Sequence, residues 1–397
     1  MKADNIAALR ASRVFLSADD CDLKRLENLT SQTVSLSDYT FAAAVEKNVL
    51  IYDCAAIRAV TGDARQRQAV MAEWADALAN GPGVIVLKRA ETDHAMIDCA
   101  SDIFRAIIAE QHRTNSGGGD HFAKPGANDR IWNSLEKHCL ADPENFAAYY
   151  GNDVLAMISE AWLGPYYQMT AQLNVVNPGG AAQSAHRDYH LGFQSAKDIE
   201  RYPRHVQLFS PMLTLQGAIA HVNAPMETGP TLLLPFSQQY DAGYMAMGRP
   251  EFQEFFAANH VQLPLEKGDM LFFSPALLHA AGTNMSKDVK RMVNLFQVSS
   301  AYGRAMETVD RTAMSKALYP ALAAATACGA MSADKISNAI AASAEGYSFP
   351  TNLDRDPPLG GLAPKSQAAL FHEALGGGWT AETFASALDV QAAKKLT

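Results

Sequence analysis

Asn177-Pro178-Gly179-Gly180-Ala181-Ala182-Gln183-Ser184-Ala185-His186-Arg187-Asp188 is the stretch on which the reading of this chain turns. Pro-Gly-Gly is turn chemistry, so the residues that follow leave the turn as extended chain. In an extended segment residues two apart share a face, which puts His186 and Asp188 together and Arg187 on the other side. A second histidine, His279, follows a turn at Glu266-Lys267-Gly268-Asp269 and the apolar run Met270-Leu271-Phe272-Phe273. Two imidazoles and one carboxylate on one face are the donor set of a non-haem Fe(II) site with its other positions open. Arg291 lies beyond Gly282-Thr283-Asn284 and opens another apolar run. Its planar, permanently charged fork suits a carboxylate. A 2-oxo acid that chelates iron at one end and carries a second carboxylate at the other needs such a group.

Working outward, residues 165 to 303 are short apolar runs separated by turns: 167–176, 213–222, 231–234, 270–273 and 292–298. Such spacing predicts a sandwich or barrel rather than a parallel α/β sheet. Residues 191–212 and 236–260 are insertions, the second partly helical. Upstream, Val70, Trp74 and Leu78 recur at helical spacing, Gly81-Pro82-Gly83 stops that helix, and 84–87 predicts a buried strand. Thr92 is placed to cap a second helix with an apolar stripe of Met96, Cys99, Ile103 and Ile107. Residues 113–130 are polar and glycine-rich, which predicts a loop. The glycine run 117–119 lacks the Gly-Lys-Ser/Thr of a phosphate loop. After about 305 the chain is alanine-rich and helical, most simply packed on the β-core. No repeat or low-complexity linker divides the chain. It reads as one domain, 1–397: an N-terminal helix/strand region (1–164), a core with the metal site (165–303) and a helical C-terminal extension (304–397).

The 397 residues carry a net charge of −9, with a mean hydropathy of −0.10. This balance argues against nucleic acid or an anionic membrane as the main partner. No apolar run approaches the roughly 18 residues of a membrane span. The opening residues lack the apolar core and cleavage site of a secretory signal, and the five cysteines, Cys21, Cys54, Cys99, Cys139 and Cys328, show no paired spacing. The expectation is a cytoplasmic protein with reduced, buried thiols.

On these residues, 165 to 303 resembles the phytanoyl-CoA dioxygenase family of Fe(II)/2-oxoglutarate-dependent oxygenases. The matching elements are Asn177-Pro178-Gly179 leading to His186-Arg187-Asp188, then Glu227-Thr228-Gly229-Pro230-Thr231 running on to Ser237. Lys267-Gly268-Asp269, His279, Gly282, Asn284 and Arg291 complete them. The resemblance implies a mainly β core with helices: a double-stranded β-helix (jelly roll, cupin-like) flanked by N-terminal helices and the C-terminal extension. It assigns His186, Asp188 and His279 to Fe(II), and Arg291 to the C5 carboxylate of 2-oxoglutarate, with O2 as the other co-substrate. It implies a hydroxylase of a small polar or anionic molecule that releases succinate and CO2. Halogenating relatives replace the motif carboxylate by a small residue, so Asp188 points to oxidation. Members often carry Pro-Gly-Ser-His where this chain has Pro235-Phe236-Ser237-Gln238. That departure, like the insertions and the long tail, bears on the substrate.

Further candidates follow. Gln172 and Asn174 alternate on one face of a predicted strand and, with Thr231, are placed to reach 2-oxoglutarate. Gln183 is a candidate hydrogen-bond partner for a ligand residue. Lys124, Arg130, Trp132, Tyr189, His190 and Arg204, with His205, suit an anionic or polar substrate, and His221 belongs to the core. The same cofactor site would also serve desaturation, cyclisation or epimerisation, because the outcome turns on sub-ångström substrate placement. Readings of other classes are a non-catalytic binding protein that keeps the fold, and a cupin-like hydrolase or isomerase. The intact ligand set weighs against the first and Arg291 against the second. The substrate and the oligomeric state stay open.

Overall fold

The computed structural model describes residues 2–114 and 126–396. Lys124 and the glycines 117–119 lie outside the described residues. The strands are β1 (Ala44–Glu46), β2 (Val49–Asp53), β3 (Val84–Lys88), β4 (Asn128–Ile131), β5 (Gln168–Val176), β6 (Thr214–Ala220), β7 (Leu232–Leu234), β8 (Met270–Phe273), β9 (Leu278–Ala280) and β10 (Arg291–Ser299). Eight of them form one mixed sheet in the order β1-β2-β3-β8-β6-β10-β5-β4, and β7 and β9 form a two-stranded sheet. β2 and β3 are parallel. β3 with β8, β6 with β8 and β7 with β9 are antiparallel. The core is therefore a mixed β-sheet with helices.

The chain gathers into two compact units. The first is Met1–Ala90, Gly119–Asp129 and Asn174–Leu295; the second is Glu91–Gly118, Arg130–Leu173 and Phe296–Thr397. In the first, Val49, Val84, Val86, Leu233, Leu271, Phe273 and Leu277 form one apolar cluster, and Leu26, Ala185, Leu234, Tyr240, Phe252, Phe256 and Leu278 belong to another. Each such large side chain stabilises the fold by roughly 1.5–3 kcal/mol when fully buried. The second of these clusters includes residues beside the metal-site candidates, Ala185 before His186 and Leu278 before His279, so burial of these neighbours fixes the backbone that carries the polar groups. His221 is buried, as expected.

The second unit is mostly helical. Phe146 and Tyr150 pack ring to ring, as do Tyr319, Phe371 and Phe384. The tail helices Arg311–Cys328 and Ala333–Ser343 pack chiefly on the helices Ser134–Ala141 and Pro143–Tyr150, rather than on the β-core as the sequence reading expects. Among the described residues no helix is long and apolar enough to cross a membrane.

Several local expectations need correction. The helix His94–Thr114 buries Ile97, Ala100 and Phe104 with Met96, and leaves Cys99 exposed. Asp93, not Thr92, accepts the Met96 N–H at its start, because a carboxylate is the stronger acceptor for free helix N–H groups. Cys21, Cys54 and Cys139 are buried free thiols, but Cys328 is exposed like Cys99. The end of the expected loop 113–130 is strand β4.

Candidate metal centre

The residues after the Asn177 turn lie antiparallel to 275–284. The turn itself closes with Gly180 N–H donating to Asn177 O at 2.9 Å. Gly179 sits there at φ 83°, a conformation open to glycine at little cost. Gly179 N–H then donates to Asn284 O (2.8 Å), Gln183 N–H to Ala281 O (3.0 Å) and Asp188 N–H to Pro275 O (3.3 Å). At the centre His186 and His279 exchange both backbone bonds, at 3.0 and 3.2 Å. This direct opposition brings their rings to 4.5 Å between centroids. On the far side of β9, Leu233 of β7 pairs with His279.

The side chains converge as the alternation predicts. Nδ1 of His186 lies 2.9 Å from Ser184 O, and Nδ1 of His279 lies 2.9 Å from Leu277 O. A carbonyl can only accept, so each Nδ1 carries the proton and each neutral ring turns an Nε2 lone pair inward. His186 Nε2 is 3.7 Å from Asp188 Oδ1, and His279 Nε2 is 3.3 Å from Asp188 Oδ2. The three donor atoms lie within 4.8 Å of one another. Burial raises the Asp188 carboxyl, and it is positive charge facing it, together with the Gln216 amide, that brings the group below the ordinary carboxylate range, so the site favours a cation against this carboxylate. Two lone pairs and an anion at this spacing repel unless a cation sits between them, so the donor set fits a divalent metal. Side-chain exposure falls from 34% at His186 to 17% at Asp188 and 5% at His279, so the approach is from the His186 side.

Arg187 holds this segment from behind. Its Nη2 donates to Ser237 O (2.6 Å) and Tyr240 O (2.8 Å), and its guanidinium lies 5.3 Å from the Tyr244 ring centre. Burial lowers its pKa to about 10. Gly243 approaches so closely that any Cβ there would overlap the guanidinium. Directly after Asp188, Tyr189 and His190 sit at φ 63° and 43°, an uncommon conformation for residues with side chains.

Arg291 begins β10 and is buried. Nη1 donates to Thr228 O at 3.1 Å and reaches Gly282 O at 3.5 Å, just past His279. Among the described residues no carboxylate pairs with it. Burial lowers its pKa to about 10. A buried cation met only by carbonyls is unfavourable and well suited to a bound anion.

The other candidates separate. Asn174 is buried, and its Oδ1 has no partner among the described residues. Thr231 is half-buried just before β7. Gln183 Oε1 accepts the Ala281 N–H at 3.3 Å, within the ribbon rather than onto a ligand. Gln172 belongs to the second unit, where its Nε2 donates to Gln297 Oε1 (3.2 Å) and it hydrogen-bonds Glu307, whose carboxyl burial pushes up to about 7. Arg130, also there, lies 5.0 Å from the Trp132 ring centre. Tyr189 is buried. His190 Nδ1 is 3.1 Å from Ser210 Oγ. Arg204 donates to Asp241 at 2.5 Å, a carboxylate shared with Arg25 at 2.8 Å. The sequence reading misses Gln216 of β6, whose Nε2 donates to Asp188 Oδ2 at 2.5 Å. The available signal was a lone amide among Leu215, Ala218, Ile219 and Ala220, all buried.

Comparison with known proteins adds the lineage. The chain is 28% identical over 34% of its length to the iron/alpha-ketoglutarate-dependent dioxygenase ausU of Aspergillus calidoustus, covering 41% of that protein. It is 30% identical over 36% of its length to the dioxygenase aneA of Aspergillus aculeatus, covering 43%. The matches thus span about two fifths of these relatives. The solved non-heme alpha ketoglutarate dependent epimerase SnoN from nogalamycin biosynthesis is 17% identical, with a TM-score of 0.41 over 59% of this chain and 82% of that one. Residues 60–292, more than half of the chain and including every metal-ligand candidate and Arg291, match the Phytanoyl-CoA dioxygenase (PhyH) family, and the chain belongs to that family.

Proposed function

We propose that this protein is a non-haem Fe(II)/2-oxoglutarate-dependent dioxygenase built on a double-stranded β-helix, with the whole of 1–397 serving one activity. The observation that supports it best is the conjunction of a donor set with an unmatched cation. His186, Asp188 and His279 turn three ligand atoms toward one another, and Arg291, tied to Gly282 O, is buried without a carboxylate among the described residues. His186, Asp188 and His279 would hold Fe(II), which supplies the redox chemistry that activates O2. Arg291 would take the distal carboxylate of 2-oxoglutarate in a charge-assisted pair, with Asn174 and Thr231 as further candidate contacts. Phe273, 4.6 Å from the His279 ring, shields the buried side of the ligand set from water. The reaction is hydroxylation of a C–H bond in a small polar or anionic molecule. One oxygen atom of O2 goes to the product and the other to succinate, with release of CO2. Tyr189 and His190, next to Asp188, are the nearest of the substrate candidates along the chain.

Anaerobic addition of Fe(II) and then 2-oxoglutarate tests the reading. A visible charge-transfer band is expected. Its absence from folded, metal-loaded protein overturns the proposal. Succinate release against pooled metabolites then identifies the substrate.

A further inference from the structure

We infer that Gln216 is a positioning residue for Asp188: its amide ties down one carboxylate oxygen and leaves the other for the metal. The inference rests on the Fe(II) reading above. Gln216 lies on β6 in register with Phe273 of β8, the residue whose ring packs on His279. It is 9% exposed in a strand that is otherwise buried throughout. Its Nε2 is 2.5 Å from Asp188 Oδ2 and 3.5 Å from His279 Nε2.

The orientation of the amide follows from charge. Turning it round would set Oε1 against an anionic oxygen, acceptor against acceptor, so the N–H faces Asp188. That choice leaves Oε1 buried with no partner among the described residues. An unpartnered amide oxygen is not in itself distinctive: Gln207 and Gln238, in the same unit, donate to backbone carbonyls and leave Oε1 without a partner among the described residues. What sets Gln216 apart is its acceptor, a carboxylate oxygen of Asp188. The carboxylate is thereby dressed unequally: Oδ2 holds the amide, while Oδ1 faces His186 Nε2 at 3.7 Å and accepts no hydrogen bond among the described residues. Hydrogen bonds of this kind orient a ligand and raise its affinity for the metal.

Anaerobic Fe(II) titration of the full-length protein, followed by the absorption band at saturating 2-oxoglutarate, tests this. Gln216→Met keeps the length of the side chain and removes the donor. The expected result is Fe(II) affinity lower by about 10- to 100-fold and a shifted band, with the melting temperature of the metal-free protein unchanged. Gln216→Leu repeats the measurement if the methionine variant does not fold. Affinity within about twofold of wild type and an unmoved band overturn the inference, and so does a loss of stability without a change in metal affinity. Failure of the wild-type protein to take up Fe(II) or form the band overturns the functional reading, and this inference with it. A wild type that does both beside an unaltered variant overturns this inference alone.

Discussion

Each compact unit buries a histidine and an arginine: His279 and Arg291 in the first, His138 and Arg311 in the second. In the second unit Arg311 is matched from within and His138 in part, its Nδ1 having no partner among the described residues. His138 Nε2 meets Asn145 Oδ1 at 2.8 Å, inside a cage of Phe104, Phe146 and Tyr149. Arg311 Nε lies 3.0 Å from Glu345 Oε1, and its other nitrogens donate to Ala342 O and Met169 O. In the first unit the matching stops short. His279 satisfies Nδ1 on a carbonyl and turns Nε2 toward Asp188, and among the described residues Arg291 finds carbonyls but no anion. Residue type and burial are the same in both units. The difference lies in whether the chemistry closes within the chain. Where it does not, a ligand completes it.

The largest effects should come from the first unit. His186→Ala removes one of three metal donors, so succinate release should fall to background; unchanged turnover would take His186 out of the ligand set. Arg291→Met should weaken 2-oxoglutarate binding by about 30-fold or more, the usual result of truncating one partner of a buried charge pair. Fe(II) binding should persist. Titration of the band against 2-oxoglutarate measures the first, and metal uptake the second. Loss of both together would break the division of roles between the triad and Arg291.

How much of this is legible in the sequence depends on how local the rule is. The shared face of His186 and Asp188 and the opposite placement of Arg187 follow from a period of two after a Pro-Gly turn, and the structure has them so. Strands β1, β7 and β9 are three residues each, too short for alternation to show. His279 was therefore legible as following β8, but not as lying in a strand paired with Leu233. Partners distant in sequence were invisible. Arg204 reads as a loop charge until Asp241 is brought to it, and Gln216 reads as a tolerated polar residue until Asp188 faces it. The alanine-rich tail has weak facial patterning, so its choice of helical partners could not be read from composition.

Stability sharpens the comparison further. Arg311→Met strips Glu345 of its cation and should cost about 3 kcal/mol in urea denaturation of the metal-free protein. Arg291→Met, in the same assay, replaces a cation that has no anion among the described residues by an apolar chain. It should leave stability unchanged or slightly higher. Equal losses in the two variants would mean that Arg291 is matched within the fold after all.

The smallest effect is a pH dependence confined to the second unit. Burial lowers His138 from 6.5 to about 4, so the folded protein keeps the ring neutral where the unfolded chain would protonate it. A depressed histidine contributes stability that is present above pH 6.5 and lost as the pH falls from there toward 4, because the unfolded state takes up the proton first. The full loss corresponds to about 3 kcal/mol, and less at mildly acid pH. His138→Phe removes the titrating group but strands Asn145 Oδ1. It should therefore be about 1 kcal/mol less stable than wild type at pH 7 and should lose less stability than wild type on acidification. The two stability curves should converge or cross below pH 6. Parallel curves from pH 7 to 4 would show that the aromatic cage does not hold His138 neutral, and the matched half of the comparison would fail there.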